Sequence, residues 1–362
     1  MSTPLPASGV SSSQRVGGGP ILEAVDITKQ FRVRVGRFAR GTVHAAENIS
    51  LALHPGSVTA VVGESGSGKS TLTRMLARTH KLTSGKIYFQ GQEVDLTKNA
   101  SQEYRSAVQL VLQDPFASLN PAHDVRYILS RPLQIHGKAG NNLEESILNL
   151  LRRVSLEPAE QFINKYPHEL SGGQRQRVSI ARGLAVEPKV LIADEPVSML
   201  DVSIRLGVLN LLADLRDRER LAIVYVTHDI ASARYLADTI MVMYAGKVVE
   251  MGSADQIVNA PAHPYTKLLL SAAPDPETED KTWLGASGAP PSLVKPPAAC
   301  RFHPRCPFAM PICSNEYPPS FEVTANHRAA CWLHTPQPLT LAQSGDGAGR
   351  AALAPGSAAN PT

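Results

Sequence analysis

Two stretches of the chain carry residue types suited to handling polyphosphates. Gly63-Glu64-Ser65-Gly66-Ser67-Gly68-Lys69-Ser70-Thr71 follows the apolar run VTAVV and precedes a helical pattern. It fits G-x-x-x-x-G-K-[ST] in the strand–loop–helix setting that this motif requires. In that setting the backbone amides wrap phosphates, Lys69 reaches the β- and γ-phosphates, and Ser70 ligates Mg²⁺. The second stretch, Leu170-Ser171-Gly172-Gly173-Gln174, opens another helical pattern. A helix start offers unpaired N–H groups and a partial positive charge, and glycine lets an anion approach closely. One chain thus holds two anion cradles.

Three further groups stand at the ends of apolar runs. VLIADEP delivers Asp194 to a strand's carboxyl end, where a carboxylate holds Mg²⁺ through water. Glu195 follows at once and is placed to act as general base on an attacking water. Taken alone, an Asp-Glu pair after a strand is an ordinary exposed loop; the phosphate loop upstream gives it a task. His228, after AIVYVT, ends another run and is expected near a γ-phosphate, because ligands bind at the carboxyl edge of such sheets. Gln113, in VLQDP, ends a third and is a candidate for Mg²⁺ or the water, with a plain polar cap as the alternative.

These residues need a frame to hold them. VTAVV, VQLVL, VLIAD and AIVYVTH are short, nearly continuous β-branched runs, as in strands buried on both faces. Helical patterns over Lys69 to Thr79, Ile147 to Val154, Gln174 to Leu184 and Ile204 to Leu215 alternate with them, which predicts an α/β fold with a mostly parallel sheet. ILEAVDITKQF and TVHAAENISLAL alternate apolar and polar residues like half-buried strands, and TIMVMYAGKVVEMG reads as a hairpin turning at Ala245-Gly246.

The composition is globular, with 43% hydrophobic and 19% charged residues. A balance of 36 Lys and Arg against 32 Asp and Glu is too mild to argue for nucleic acid, and none is expected as a partner. No apolar run approaches the ~18 residues that span a bilayer, and the N-terminal MSTPLPASGVSSSQRVGGGP has no apolar secretory core. The chain reads as cytosolic, with any membrane role passing through a partner. Residues 1–20 and 336–362, rich in Ser, Gly, Pro and Ala, read as disordered tails, and 271–299 as a Pro-rich linker that separates the segment behind it from the rest. All four cysteines follow, Cys300, Cys306, Cys313 and Cys331, spaced C-x5-C-x6-C-x17-C. Disulfides, zinc and an iron–sulfur cluster compete for them. A cytosolic chain disfavours the first, and the lack of a C-x2–4-C knuckle the second. Four thiolates can hold [4Fe–4S], with Arg301, His303, Arg305, His327 and Arg328 to offset its charge; spacing alone does not choose among these readings, and reduced cysteines that bind nothing are a further one.

The order Gln113, Leu170 to Gln174, VLIADEP, Ser198-Met199-Leu200-Asp201 and His228 resembles an ATP-binding cassette (ABC) ATPase over residues 21–270. QDPFASLNP and NAPAHPYTKLLLSAAP are similar to the oligopeptide and dipeptide importer branch. The resemblance implies a P-loop cassette with an antiparallel β subdomain and a helical subdomain over about 114–186, plus a small cysteine-rich extension over 300–335. It implies Phe31 as adenine platform (with Phe38 nearby as a rival), Gln113 as Q-loop, Glu195 as base and His228 as switch histidine. It also explains the second cradle. Two cassettes, copies or paralogues, pack head to tail, and Ser171, Gly172, Gly173 and Gln174 close on the partner's ATP. The implied cofactors are ATP, Mg²⁺ and a [4Fe–4S] cluster at the four cysteines, zinc being the lesser alternative. The implied setting is the cytoplasmic face of a membrane, with two permease subunits and an external solute-binding protein. The segment Phe116 to Leu133, with its apolar Phe116, Leu119, Ile128 and Leu129, is expected to seat a permease helix. Met199 departs from the small residue usual before Leu-Asp, which leaves oligosaccharides beside peptides as the solute. A soluble ABC ATPase acting on nucleic acid or ribosomes is the alternative. Such proteins pair two cassettes in one chain or insert long heptads, and the segment from Thr71 to Leu170 shows neither. Intact Lys69, Asp194, Glu195 and His228 oppose a non-catalytic regulatory role.

Overall fold

The computed structural model describes residues 19–34, 40–96, 101–272 and 288–335. The expected tails and Phe38 lie outside these residues, apart from the tail's Gly19 and Pro20; most of the expected linker does too. Among the described residues twelve strands form two sheets. β1 (Leu22–Arg34), β2 (Arg40–Leu53), β4 (Ser84–Phe89) and β5 (Gln92–Glu93) make an antiparallel sheet in the order β2-β1-β4-β5. The larger sheet runs β11-β12-β10-β9-β3-β8-β7-β6. Here β3 is Val58–Val62, β6 Val108–Val111, β7 Val190–Asp194, β8 Ala222–Thr227, β9 Thr239–Tyr244, β10 Lys247–Ser253, β11 Phe321–Thr324 and β12 His327–Ala329. The five strands β9-β3-β8-β7-β6 pair in parallel, and β10, β12 and β11 add an antiparallel edge.

The continuous apolar runs are buried on both faces, as their composition requires. Along β3, Val58, Ala60 and Val62 face one core and Val61 the other; along β8, Ile223 and Tyr225 oppose Ala222, Val224 and Val226. One core is closed by the antiparallel sheet and helix Lys69–Leu76. The other is closed by helices Val125–Ile135, Leu143–Arg153 and Gly172–Leu184, which pack on one another. Helix Leu143–Arg153 starts earlier than its apolar periodicity indicates, because Asn142 Oδ1 caps it by accepting from the N–H groups of Glu144 and Glu145. Acidic Glu144 and Glu145 in its first turn and Arg152 and Arg153 in its last suit the helix dipole. The β9–β10 hairpin turns at Ala245-Gly246, both in the left-handed region (φ 46° and 84°), as a two-residue turn demands.

Two expectations are corrected. Of the four apolar residues expected to seat a permease helix, Leu119, Ile128 and Leu129 are core (1%, 8% and 0% exposed). Phe116 alone is open to solvent at 59%, with Arg175 over its ring at 4.0 Å. The extension, expected to stand apart behind its linker, is docked on the cassette: β12 pairs with β10 through Glu250↔Ala329 and Met251↔Arg328.

The iron–sulfur expectation is also overturned. Cys300, Cys306, Cys313 and Cys331 do line one small pocket, with His263, Phe302, Phe308, Trp332 and Leu333 among its walls. That pocket has a volume of about 10 Å³, room for roughly one water. Among the described residues no group of three or more His, Cys, Asp or Glu is arranged to hold a metal, which removes zinc as well. Burial pushes up the thiols of Cys300, to about 11, of Cys331, to about 12, and of Cys306. Most of the basic residues expected to balance a cluster have other partners. Arg301 binds Glu47 and Ala245 O, Arg305 binds Glu64, and His327 binds Glu250.

Candidate functional site

β3, β7, β8 and β6 end side by side, which places the loop after Val62, Asp194-Glu195, His228 and Gln113 along one sheet edge. The loop 63–68 curls back on itself. Lys69 Nζ donates to Gly63 O at 2.7 Å and to Glu64 O at 3.0 Å. Gly246 N–H donates to Ser67 O at 2.9 Å, and a Cβ on Gly68 would lie 2.3 Å from Ala45 O. Neighbouring backbone therefore fixes the loop's outer side, leaving its inner side to a ligand. Burial pulls the Lys69 ammonium below the ordinary lysine range, against the pull of Glu195, Asp194 and Glu64. Burial pushes Asp194 up, against hydrogen bonds from Ser70 and Thr73. Ser70 Oγ and Thr73 Oγ1 each lie 3.3 Å from an Asp194 oxygen. A hydroxyl and a carboxylate at the end of a phosphate loop suit a hard cation such as Mg²⁺, which keeps several waters and needs few protein ligands.

Glu195 takes the left-handed region (φ 48°), costly for a side-chain-bearing residue. Its N–H donates to Val226 O at 3.0 Å, and Ser198 N–H and Oγ donate to Glu195 O at 3.3 and 3.0 Å. This locked turn points the carboxylate at its two expected neighbours. Gln113 Nε2 donates to Glu195 Oε2 at 3.0 Å, and His228 Nδ1 lies 3.4 Å from the same oxygen. Strand ends 82 residues apart thus converge on one carboxylate.

The second cradle lies apart from this cluster. Ser171 caps helix Gly172–Leu184 in a capping box: Ser171 N–H donates to Gln174 Oε1 at 2.9 Å, and Gln174 N–H to Ser171 Oγ at 3.3 Å. Gly173 has a packing reason as well, since a Cβ there would lie 2.4 Å from Ile204 Cγ2 on helix Val202–Glu219. Phe31, half-buried on β1, packs edge-on against His80 at 5.5 Å with Lys29 Nζ 4.9 Å from its ring, and these contacts do not join it to the loop. Sequence reasoning missed Thr73 on Asp194 and Arg305 on Glu64. The first carries a signal, one helical turn beyond Lys69-Ser70; the second carries none, since its partner is 241 residues away.

A family model described as "ABC transporter" matches residues 46–198, and one described as "Oligopeptide/dipeptide transporter, C-terminal region" matches residues 249–313. The chain is 41% identical to the oligopeptide transport ATP-binding protein AppF of Bacillus subtilis, over 87% of this chain and 98% of that protein. It is 45% identical to the dipeptide transport ATP-binding protein DppF of Escherichia coli, over 79% of this chain and 86% of that one. Among solved structures it is similar to an ATP-binding cassette dimer in a post-hydrolysis state bound to ADP and Pi. That match has a TM-score of 0.56 and 28% identity and covers 64% of this chain and 98% of the other. With the phosphate loop, the converging strand ends and these likenesses together, the chain belongs to the ABC transporter ATPases, in the branch that carries the oligopeptide/dipeptide transporter C-terminal region.

Proposed function

We propose that this ATPase powers the import of oligopeptides or dipeptides, seated on the cytoplasmic face of a membrane against two permease subunits. An external binding protein delivers the solute, and a second cassette, a copy or a paralogue, packs head to tail. The observation that carries the peptide reading is the near full-length likeness to AppF and DppF, C-terminal region included. No helix among the described residues is long and apolar enough to cross a membrane, in keeping with a subunit that reaches the bilayer through partners.

In this reading the loop formed by Gly63, Glu64, Ser65, Gly66, Ser67 and Gly68, with Thr71, cradles the phosphates. Lys69 leaves its two loop carbonyls for the β- and γ-phosphates. Ser70 and Asp194, with Gln113, hold Mg²⁺, which supplies charge neutralisation on the phosphates. Glu195 takes the proton of the attacking water, while Gln113 and His228 orient its carboxylate and sense the γ-phosphate. Phe31 is the proposed adenine platform. Ser171 to Gln174 close on the partner's nucleotide, so hydrolysis reopens the dimer and couples chemistry to movement. Phe116 is the exposed apolar contact proposed for the permease.

The test is ATPase stimulation of the reconstituted transporter by its binding protein loaded with peptides or with oligosaccharides. Peptide-dependent stimulation is expected; stimulation by oligosaccharides alone would move the solute to that class.

A further inference from the structure

The segment between the first two cysteines ends against the phosphate loop. Arg305 donates from Nη1 and Nη2 to the two carboxylate oxygens of Glu64, each at 3.0 Å, and from Nη1 to Tyr244 Oη at 3.2 Å. Its side chain is only 10% exposed, with the guanidinium 5.7 and 5.8 Å from the ring centroids of Tyr244 and Phe302, whereas the Glu64 side chain is 28% exposed. Glu64 is held by its backbone too: its N–H donates to Tyr265 Oη at 2.8 Å, and its carbonyl accepts from Lys69. From the same short segment Arg301 binds Glu47 and the carbonyl of Ala245, beside the Gly246 amide that holds Ser67. Two arginines of the extension therefore brace the loop and its neighbour.

A carboxylate at this position has a cost. It sits inside the loop that must receive a polyphosphate, and like charges at such range repel by energies that matter in a partly buried site. A bidentate guanidinium is the partner that cancels that charge while fixing its geometry.

We propose that Arg305 is a positioning residue for nucleotide binding, one that neutralises Glu64 so that the phosphate loop meets the polyphosphate of ATP without an opposing negative charge. Through it the C-terminal extension sets the cassette's affinity for nucleotide. The inference rests on the assignment of residues 63–71 as the phosphate loop.

The experiment measures Mg·ATP affinity of the full chain by calorimetry at about 50 and about 500 mM salt, between which the screening length falls about threefold. Arg305→Ala is expected to weaken binding about five- to tenfold at low salt, the scale of a lost charged hydrogen-bond pair, and by less at high salt. Arg305→Lys should fall between it and wild type. Arg305→Ala combined with Glu64→Gln should recover most of the loss, because no charge is then left unpaired. Arg305→Gln, which keeps the side-chain stem, replaces Arg305→Ala where thermal melting shows that variant unfolded. Wild-type affinity in the single variant, or a double variant as weak as the single, overturns the proposal. Wild-type chain that fails to bind ATP overturns the loop assignment itself, and the proposal with it.

Discussion

The phosphate-loop edge and the four-cysteine pocket each gather reactive side chains from distant parts of the chain, and they differ in what surrounds the reactive atoms. At the edge every group is partnered by something a ligand can replace: Lys69 by two loop carbonyls, Asp194 by two hydroxyls, Glu195 by an amide and an exposed imidazole. In the pocket the thiols face Phe302, Phe308, Trp332 and Leu333 around a space of about 10 Å³. Burial opposes charge in both, but at the edge Glu195, Asp194 and Glu64 pull against it at Lys69, and Ser70 and Thr73 do so at Asp194. In the pocket burial dominates, and Cys331 is pushed up to about 12. Convergence of suitable residue types is common to both; polarity and room distinguish them.

The comparison breaks first at Glu195. Glu195→Gln removes the base and leaves the loop intact, so turnover of the assembled transporter is expected to fall by about 10²–10⁴-fold with ATP binding retained. Near-normal turnover would strip the edge of its chemical distinction from the pocket.

Next comes the thiol state. With their thiolates suppressed by burial, Cys300 and Cys331 are expected, from their thiolate fractions at pH 8, to react with an aromatic disulfide about two hundredfold and about two thousandfold more slowly than a free cysteine of pKa ~8.5. Rates near those of a free thiol would show that the pocket holds thiolates after all.

The smallest effect sharpens the picture of the pocket's wall. Burial, helped by the neighbouring His334, lowers His263 to about 3, and its Nδ1 accepts from Tyr265 N–H at 3.0 Å. The unfolded chain takes up a proton at this residue below about pH 6.5, while the folded one resists until about 3. Stability from this residue is complete above pH 6.5 and is lost as pH falls toward 3, about 2 kcal/mol by pH 5. In His263→Asn, which keeps the acceptor, the acid side of the stability curve between about pH 6.5 and 5 is expected to flatten. An unchanged slope in denaturant melts would assign the proton uptake to another group.

Much of the edge was legible in the sequence because its information is local. The phosphate loop is contiguous, and Asp194, His228 and Gln113 each end an apolar run whose strand type its β-branched residues declare. The capping box at Ser171 and the hairpin at Ala245-Gly246 are likewise short-range signals. What stayed hidden depends on tertiary partners. Apolar periodicity could not separate Leu129, which is core, from Phe116, which is exposed. Cysteine spacing announced a cluster of thiols and said nothing of the phenylalanines that would surround it. The arginines near those cysteines looked like counter-charges to a cofactor, since nothing in their neighbourhood points to Glu47 or Glu64.

The docking of the extension has a consequence for the order in which the protein is made. Synthesis completes Glu47, Glu64 and Glu250 long before it reaches Arg301, Arg305 and His327, which pair with them. A nascent cassette can close its parallel sheet while Glu64, inside the phosphate loop, still waits for its guanidinium; Glu47 already meets His44 and Lys247, and Glu250 already accepts from the N–H groups of Ala262 and His263. Arrival of residues 301–327 completes all three pairs together. This later-made segment thereby completes the phosphate loop made earlier, and a chain without it would leave the Glu64 carboxylate without its guanidinium.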